Sequence, residues 1–108
     1  MTDKLRILND KYGEIAWIVN DHLPDQDEAD DIGFAMLSDF EDVEHSWYKA
    51  LYGNDLNGLK DAFARMVRFS HEASKYVTFT DDEMKRIKDA AYYFEVAYAA
   101  VNSVQGLF

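Results

Sequence analysis

Apolar residues recur every three or four positions along most of the chain, a spacing that places them on one face of an α-helix. Four such stripes predict helices over residues 3–22, 25–52, 55–76 and 81–105. The alternating pattern typical of strands is nearly absent. The residues expected to lie in the core are Trp47, Phe40, Phe63, Met66, Ile87 and Phe94.

The residues between the stripes predict where the helices begin. Thr2 is a candidate N-cap for the first helix. Pro24 suits the first turn of the second helix, because its missing N–H would have no partner there. Thr80 and Glu83 have the spacing of a capping box at the start of the fourth helix. The gaps are short, and short gaps make neighbouring helices antiparallel. We therefore predict an all-α fold: a single-domain antiparallel four-helix bundle, up-down-up-down, over residues 1–108.

Length and composition narrow the class of protein. A chain of 108 residues suits one domain, and 48% apolar residues are ample for its core. The chain has no cysteine, so it has no disulfide, thiol nucleophile or thiolate metal site. The first residues lack the apolar segment of a signal peptide, and no apolar run is long enough to span a membrane. We expect a cytoplasmic protein.

The charge is strongly negative and unevenly distributed. Lysine and arginine number 11 against 21 acidic residues, which gives a net charge of −10. A field of this sign repels phosphates, so direct binding to nucleic acid or an anionic membrane is not expected. Residues 24–52 contain nine acidic residues and one lysine, a balance of −8. The helix macrodipole would stabilise Asp25, Asp27 and Glu28 in a first turn, but Glu41 and Glu44 lie far beyond that turn.

A helical wheel with Val43 facing the core places carboxylates and aromatic rings together on the opposite side of the second helix. Acidic residues could pair with lysines and arginines of a partner, while the aromatic rings serve as anchors. An acidic face that only keeps the protein soluble is the alternative. The predicted partner-binding residues are Asp27, Asp30, Phe34, Leu37, Glu41, Glu44, His45, Tyr48 and Tyr52.

The fourth helix is apolar nearly all round in its second half, and a helix without a polar face is usually buried on both sides. We therefore predict a possible homodimer through its outer face. The alternative is that the tyrosines lie on the surface with their hydroxyls in water. The predicted self-association residues are Tyr92, Tyr93, Val96, Ala99, Ala100 and Ser103.

The pattern of ligating residues does not predict a metal site. Carboxylate-bridged metal sites in helical bundles use a Glu-x-x-His pair on each of two helices. The nearest match has Asp42 and His45 in the second helix, whereas His71 in the third is preceded at that spacing by Arg68. Neither a catalytic residue nor a cofactor-binding residue is predicted, and we expect a protein that is not an enzyme.

These features favour a small acidic interaction protein that binds and blocks a basic, nucleic-acid-binding surface of a larger protein. In size and charge the chain resembles phage and mobile-element inhibitors: anti-CRISPR proteins, anti-restriction DNA mimics and nuclease immunity proteins. That similarity rests on charge and length, not on a motif. The alternatives are a metal- or cofactor-binding bundle enzyme and a structural dimerisation module with an acidic surface for solubility.

Overall fold

The computed structural model describes residues 3–106, and the side chains of residues 5–103. The described residues form four helices and no strand, which confirms the prediction of an all-helical chain. The candidate N-cap Thr2 lies outside the described residues. The helices are α1 (Asp3–His22), α2 (Asp31–Tyr52), α3 (Leu56–Ala73) and α4 (Asp81–Gly106).

The second helix begins six residues later than predicted. Asp30 is its N-cap, and the Asp30 Oδ1 atom accepts a hydrogen bond from the Gly33 N–H at 2.8 Å. The preceding residues fold back over this first turn, because a Cβ atom at Gly33 would lie 3.0 Å from both Ala29 and Pro24. Pro24 therefore lies in the connection before α2 and not in its first turn, which corrects the prediction.

The macrodipole of α2 therefore does not explain the acidic residues in the loop between α1 and α2. Asp25, Asp27 and Glu28 precede the N-cap, and Asp31 is the acidic residue of the first turn of α2. Their carboxylates are exposed in the loop between α1 and α2.

The ends of α3 and α4 show how local hydrogen bonds set helix boundaries. Asp55 caps α3 by accepting from the Gly58 N–H at 3.0 Å. α3 ends at Ala73 and not near residue 76, because the next residues form a turn closed by the Val77 N–H on the Ala73 carbonyl. The predicted capping box of α4 is present: Glu83 N–H donates to Thr80 Oγ1 at 3.0 Å, and Thr80 N–H donates to Glu83 Oε1 at 2.9 Å.

The core is built from aromatic rings contributed by all four helices. Trp47 is fully buried and stacks on Tyr12 with ring centroids 4.0 Å apart, and its indole N–H donates to Asn9 Oδ1 at 2.9 Å. Phe63 of α3 stacks on Phe94 of α4 at 3.6 Å. All six predicted core residues are buried, so that prediction is confirmed.

The helices pair unequally. α1 packs most extensively against α4, and α2 against α3, which is compatible with a helical bundle. The contact between α1 and α2 is made by long side chains and not by close backbones. The up-down-up-down order stays a prediction. No helix within residues 3–106 is long and apolar enough to cross a membrane.

Candidate functional site

Most residues predicted to bind a partner lie on the surface of α2 or the loop before it. Phe34 is 49% exposed and Tyr52 75% exposed, and Tyr52 stacks beside Tyr48 with ring centroids 6.3 Å apart. The aromatic rings are therefore accessible. The exposed members of the predicted set are Asp27, Asp30, Phe34, Glu41, His45, Tyr48 and Tyr52.

Glu44 does not lie on the outer side of α2, where the helical wheel placed it. Its side chain is half-buried, and its Oε2 atom accepts a hydrogen bond from the Tyr12 hydroxyl of α1 at 2.6 Å. Burial and this bond to a charged carboxylate raise the pKa of Tyr12, which therefore stays protonated and keeps donating. Leu37 is likewise half-buried. Glu44 and Tyr48 therefore lie on the α1 side of α2, not directly away from the core.

The charges on the two sides of α2 differ. A groove of about 550 Å³ between α2 and α3 is lined by Asp31 and Asp39, but also by Arg65 and Arg68. Charges of both signs lie there. Among the described side chains, no cation forms an ion pair with any acidic residue between positions 25 and 44. Two arginines therefore lie near the acidic residues on the α3 side of α2, whereas the described lining of the groove on the α1 side, which Glu44 joins, includes no cation from α2 or α3.

A second helix contributes to this acidic side. A broad groove of about 1260 Å³ runs along α1, and α2 lines it with Phe40, Glu44 and Tyr48. Trp17 of α1 lines the same groove and is 72% exposed. Trp17 is not among the residues predicted from the sequence, although it is a tryptophan outside the apolar stripe of its own helix.

The predicted self-association face is on the surface of α4. Tyr92 is 64% exposed, Tyr93 54% and Val96 52%. The two tyrosine rings meet edge to face at 5.4 Å, and Lys11 Nζ of α1 lies 5.4 Å above the Tyr93 ring. Ala99, Ala100 and Ser103 are also exposed. The six residues therefore form one accessible and largely apolar face.

One polar cluster ties the end of α1 to the start of α4. His22 Nε2 lies 2.9 Å from both carboxylate oxygens of Glu83, and the His22 ring meets Phe79 edge to face at 4.8 Å. The hydrogen bond from the Thr80 backbone, followed by the contact with His22, holds the pKa of Glu83 below its usual value.

In the part of the chain with described side chains, no three His, Asp or Glu residues form a group that could hold a metal ion.

Comparison of the chain with protein-family models, with curated proteins and with solved structures finds no match. Function is therefore inferred from the geometry and charge of the surfaces described above.

Proposed function

We propose that this protein binds a basic surface of a larger protein through the α1-facing side of α2, and blocks that surface. The observation that supports this most strongly is the combination of uncompensated carboxylates with accessible rings. Asp27 and Glu41 lack an ion-pair partner among the described side chains, and α2 also carries the exposed rings of Phe34 and Tyr52. Carboxylates steer a basic partner into contact, and buried aromatic rings supply most of the binding energy.

The proposed partner is a protein that normally binds nucleic acid. Basic surfaces of that kind are built to neutralise phosphates, and a helix lined with carboxylates can occupy the same surface. On this proposal the protein acts as a phosphate mimic in the cytoplasm, in the manner of phage and mobile-element inhibitors. An up-down-up-down bundle suits the role, because it holds α2 as a rigid element.

A capture experiment from the native host, performed at low and high salt, tests the proposal. We expect a basic, nucleic-acid-binding protein to be retained at low salt, released at high salt, and displaced by added nucleic acid. Capture that is unaffected by salt and by nucleic acid would contradict it. Glu41→Lys should weaken capture. The matched control is Asp89→Lys, which makes the same charge change at an exposed position on α4 and should not weaken capture.

The apolar face of α4 supports a second proposal, self-association into a homodimer. Val96 is 52% exposed and lies beside Tyr92, and small residues continue the face toward the end of the helix. Val96→Glu would place a charge in that interface without touching the core. Light scattering at micromolar concentration should give a dimer for the wild type and a monomer for Val96→Glu. A monomeric wild type would contradict self-association.

The enzyme alternative predicts a bound metal or cofactor. Elemental analysis and absorption spectra of protein purified from the native host distinguish it from the proposed function.

A further inference from the structure

The groove along α1 is lined by aromatic rings from two helices. Trp17 stands on the α1 side, 72% exposed, and Tyr48 on the α2 side, 44% exposed. Gly13 also lines the groove, and a Cβ atom added there would meet no other atom within 4 Å. The space beside Gly13 is therefore open to an incoming side chain.

A carboxylate is held in place within this groove. Tyr12 donates to Glu44 Oε2 at 2.6 Å, and no described group donates to the other oxygen, Oε1. The bond from Tyr12 limits the orientations of the carboxylate, so Oε1 is a positioned acceptor that costs little further ordering on binding. Burial and the charge of Glu44 both raise the pKa of Tyr48, so its ring also stays neutral.

The cations that line the groove already have partners. Lys11 Nζ lies 3.5 Å from Glu14, and Arg86 Nε lies 3.2 Å from Asp82. Glu44 has no cation partner among the described side chains. The part of the groove beside α2 therefore retains a negative charge next to the ring of Tyr48, and Trp17 lines the same groove.

We propose that this groove receives an arginine side chain of the basic partner, which pairs with Glu44 between the rings of Trp17 and Tyr48. This inference rests on the proposed function and names the contact at its centre. Arginine fits better than lysine, because its planar guanidinium can pair with a carboxylate and stack on aromatic rings at the same time. The role of Trp17 makes the site a surface of two helices, not of α2 alone.

The test uses an alanine-based helical peptide with arginine at every fourth position, and matched peptides with lysine or glutamine there. Binding is followed by the two indole N–H signals in a nitrogen-15 NMR spectrum. The arginine peptide should move the signal of exposed Trp17 far more than that of buried Trp47. The lysine peptide should bind more weakly, and the glutamine peptide should not bind.

Two substitutions test whether an arginine side chain of the peptide binds at Trp17 and Glu44. Trp17→Ala should weaken binding of the arginine peptide about 10-fold, because the stacking surface is lost. Glu44→Gln should also weaken it about 10-fold, because glutamine can still accept from Tyr12 but carries no charge. The matched controls are Tyr76→Ala, an exposed ring in the other groove, and Asp42→Asn, an exposed carboxylate of α2. Neither control should change the affinity for the peptide.

Three outcomes would overturn the inference. The first is an unmoved Trp17 signal at saturating peptide. The second is equal affinity of the wild type, Trp17→Ala and Glu44→Gln for the arginine peptide, and the third is equal affinity of the wild type for the arginine and lysine peptides.

The proposed function has a separate test in the native partner. If capture of that partner requires Glu41 while Trp17→Ala captures it normally, the acidic face stands and the arginine site fails. If Trp17→Ala loses the partner while Glu41→Lys captures it normally, the arginine site stands and the wider acidic face fails.

Discussion

α2 packs against α3 and against α1 in different ways. Toward α3 the backbones approach closely, and a Cβ atom at Gly58 would lie only 2.9 Å from that of Ala50. Toward α1 the contact is made by the stacked rings of Trp47 and Tyr12, and Gly13 has open space beside it. Small residues let helices close on each other, whereas large rings hold them apart and leave a groove. The surface proposed to bind a partner lies on the side that is held apart.

The largest expected effect comes from removing the ring that joins α1 to α2. Trp47→Ala should lower the free energy of unfolding by about 3–5 kcal/mol, because a fully buried ring leaves a cavity. Trp17→Ala is the matched control, and should change it by less than about 0.5 kcal/mol, since that ring is exposed. Urea denaturation measures both. Equal effects of the two substitutions would show that the α1–α2 contact does not depend on Trp47.

Substitutions of Gly58 and Gly13 test directly how closely α2 packs against α3 and against α1. Gly58→Ala should destabilise the protein by about 1–3 kcal/mol, because its methyl group would collide with Ala50 and the capping carboxylate of Asp55. Gly13→Ala should stabilise it by about 0.5–1 kcal/mol, because alanine favours helix and meets nothing there. Thermal unfolding of both variants gives the signs. Stabilisation by both would mean that α2 and α3 are not closely packed at Gly58.

The hydrogen bond that holds Glu44 should make a smaller contribution. Tyr12→Phe keeps the ring stacked on Trp47 but removes the hydroxyl donor, and should cost about 1 kcal/mol. Tyr98→Phe is the control, because no hydrogen bond of its hydroxyl occurs among the described residues. Chemical denaturation compares the two. An equal loss in both variants would contradict a specific role for the Tyr12–Glu44 bond.

Lowering the pH should weaken the contact between α1 and α4, because Glu83 of α4 contacts His22 of α1. The pKa of Glu83 is lower in the folded protein than its ordinary value of 4.5, so its contribution to stability is present above that pH. The contribution is lost as the pH falls through the folded-state pKa. The stability difference between the wild type and Glu83→Gln should therefore shrink toward zero as the pH is lowered below 4.5 and through the folded-state pKa of Glu83. A difference that is independent of pH would contradict this assignment.

The sequence predicted which segments are helical and which residues form the core better than it predicted where each helix begins and ends. The apolar stripe of α2 ran back through Ala29, and both Pro24 and Asp30 were possible starts for the helix. Asp30 is the observed cap, and the tertiary packing of Pro24 and Ala29 against Gly33 accompanies it. Contacts of that kind cannot be obtained from local sequence signals.

The geometry of the proposed binding surface was predicted only in part, for a related reason. A helical wheel gives the direction of Glu44 from its own axis, but not the position of Tyr12, which lies 32 residues away in the chain. The groove itself depends on how far apart α1 and α2 stand, which follows from the stacking of Tyr12 on Trp47. Trp17 could have been recognised, since it falls outside the stripe of its helix.

The central claim is that exposed carboxylates of α2 bind a basic partner, and Glu41 tests it most directly. Glu41 is exposed and makes no hydrogen bond or ion pair with any side chain that the structure describes, whereas Glu44 accepts a hydrogen bond from Tyr12. The measurement is the association rate of the captured partner with the wild type, Glu41→Lys and the control Asp89→Lys at low salt. We expect Glu41→Lys to associate about 10-fold more slowly and Asp89→Lys to match the wild type. Equal rates and affinities for all three would contradict the claim.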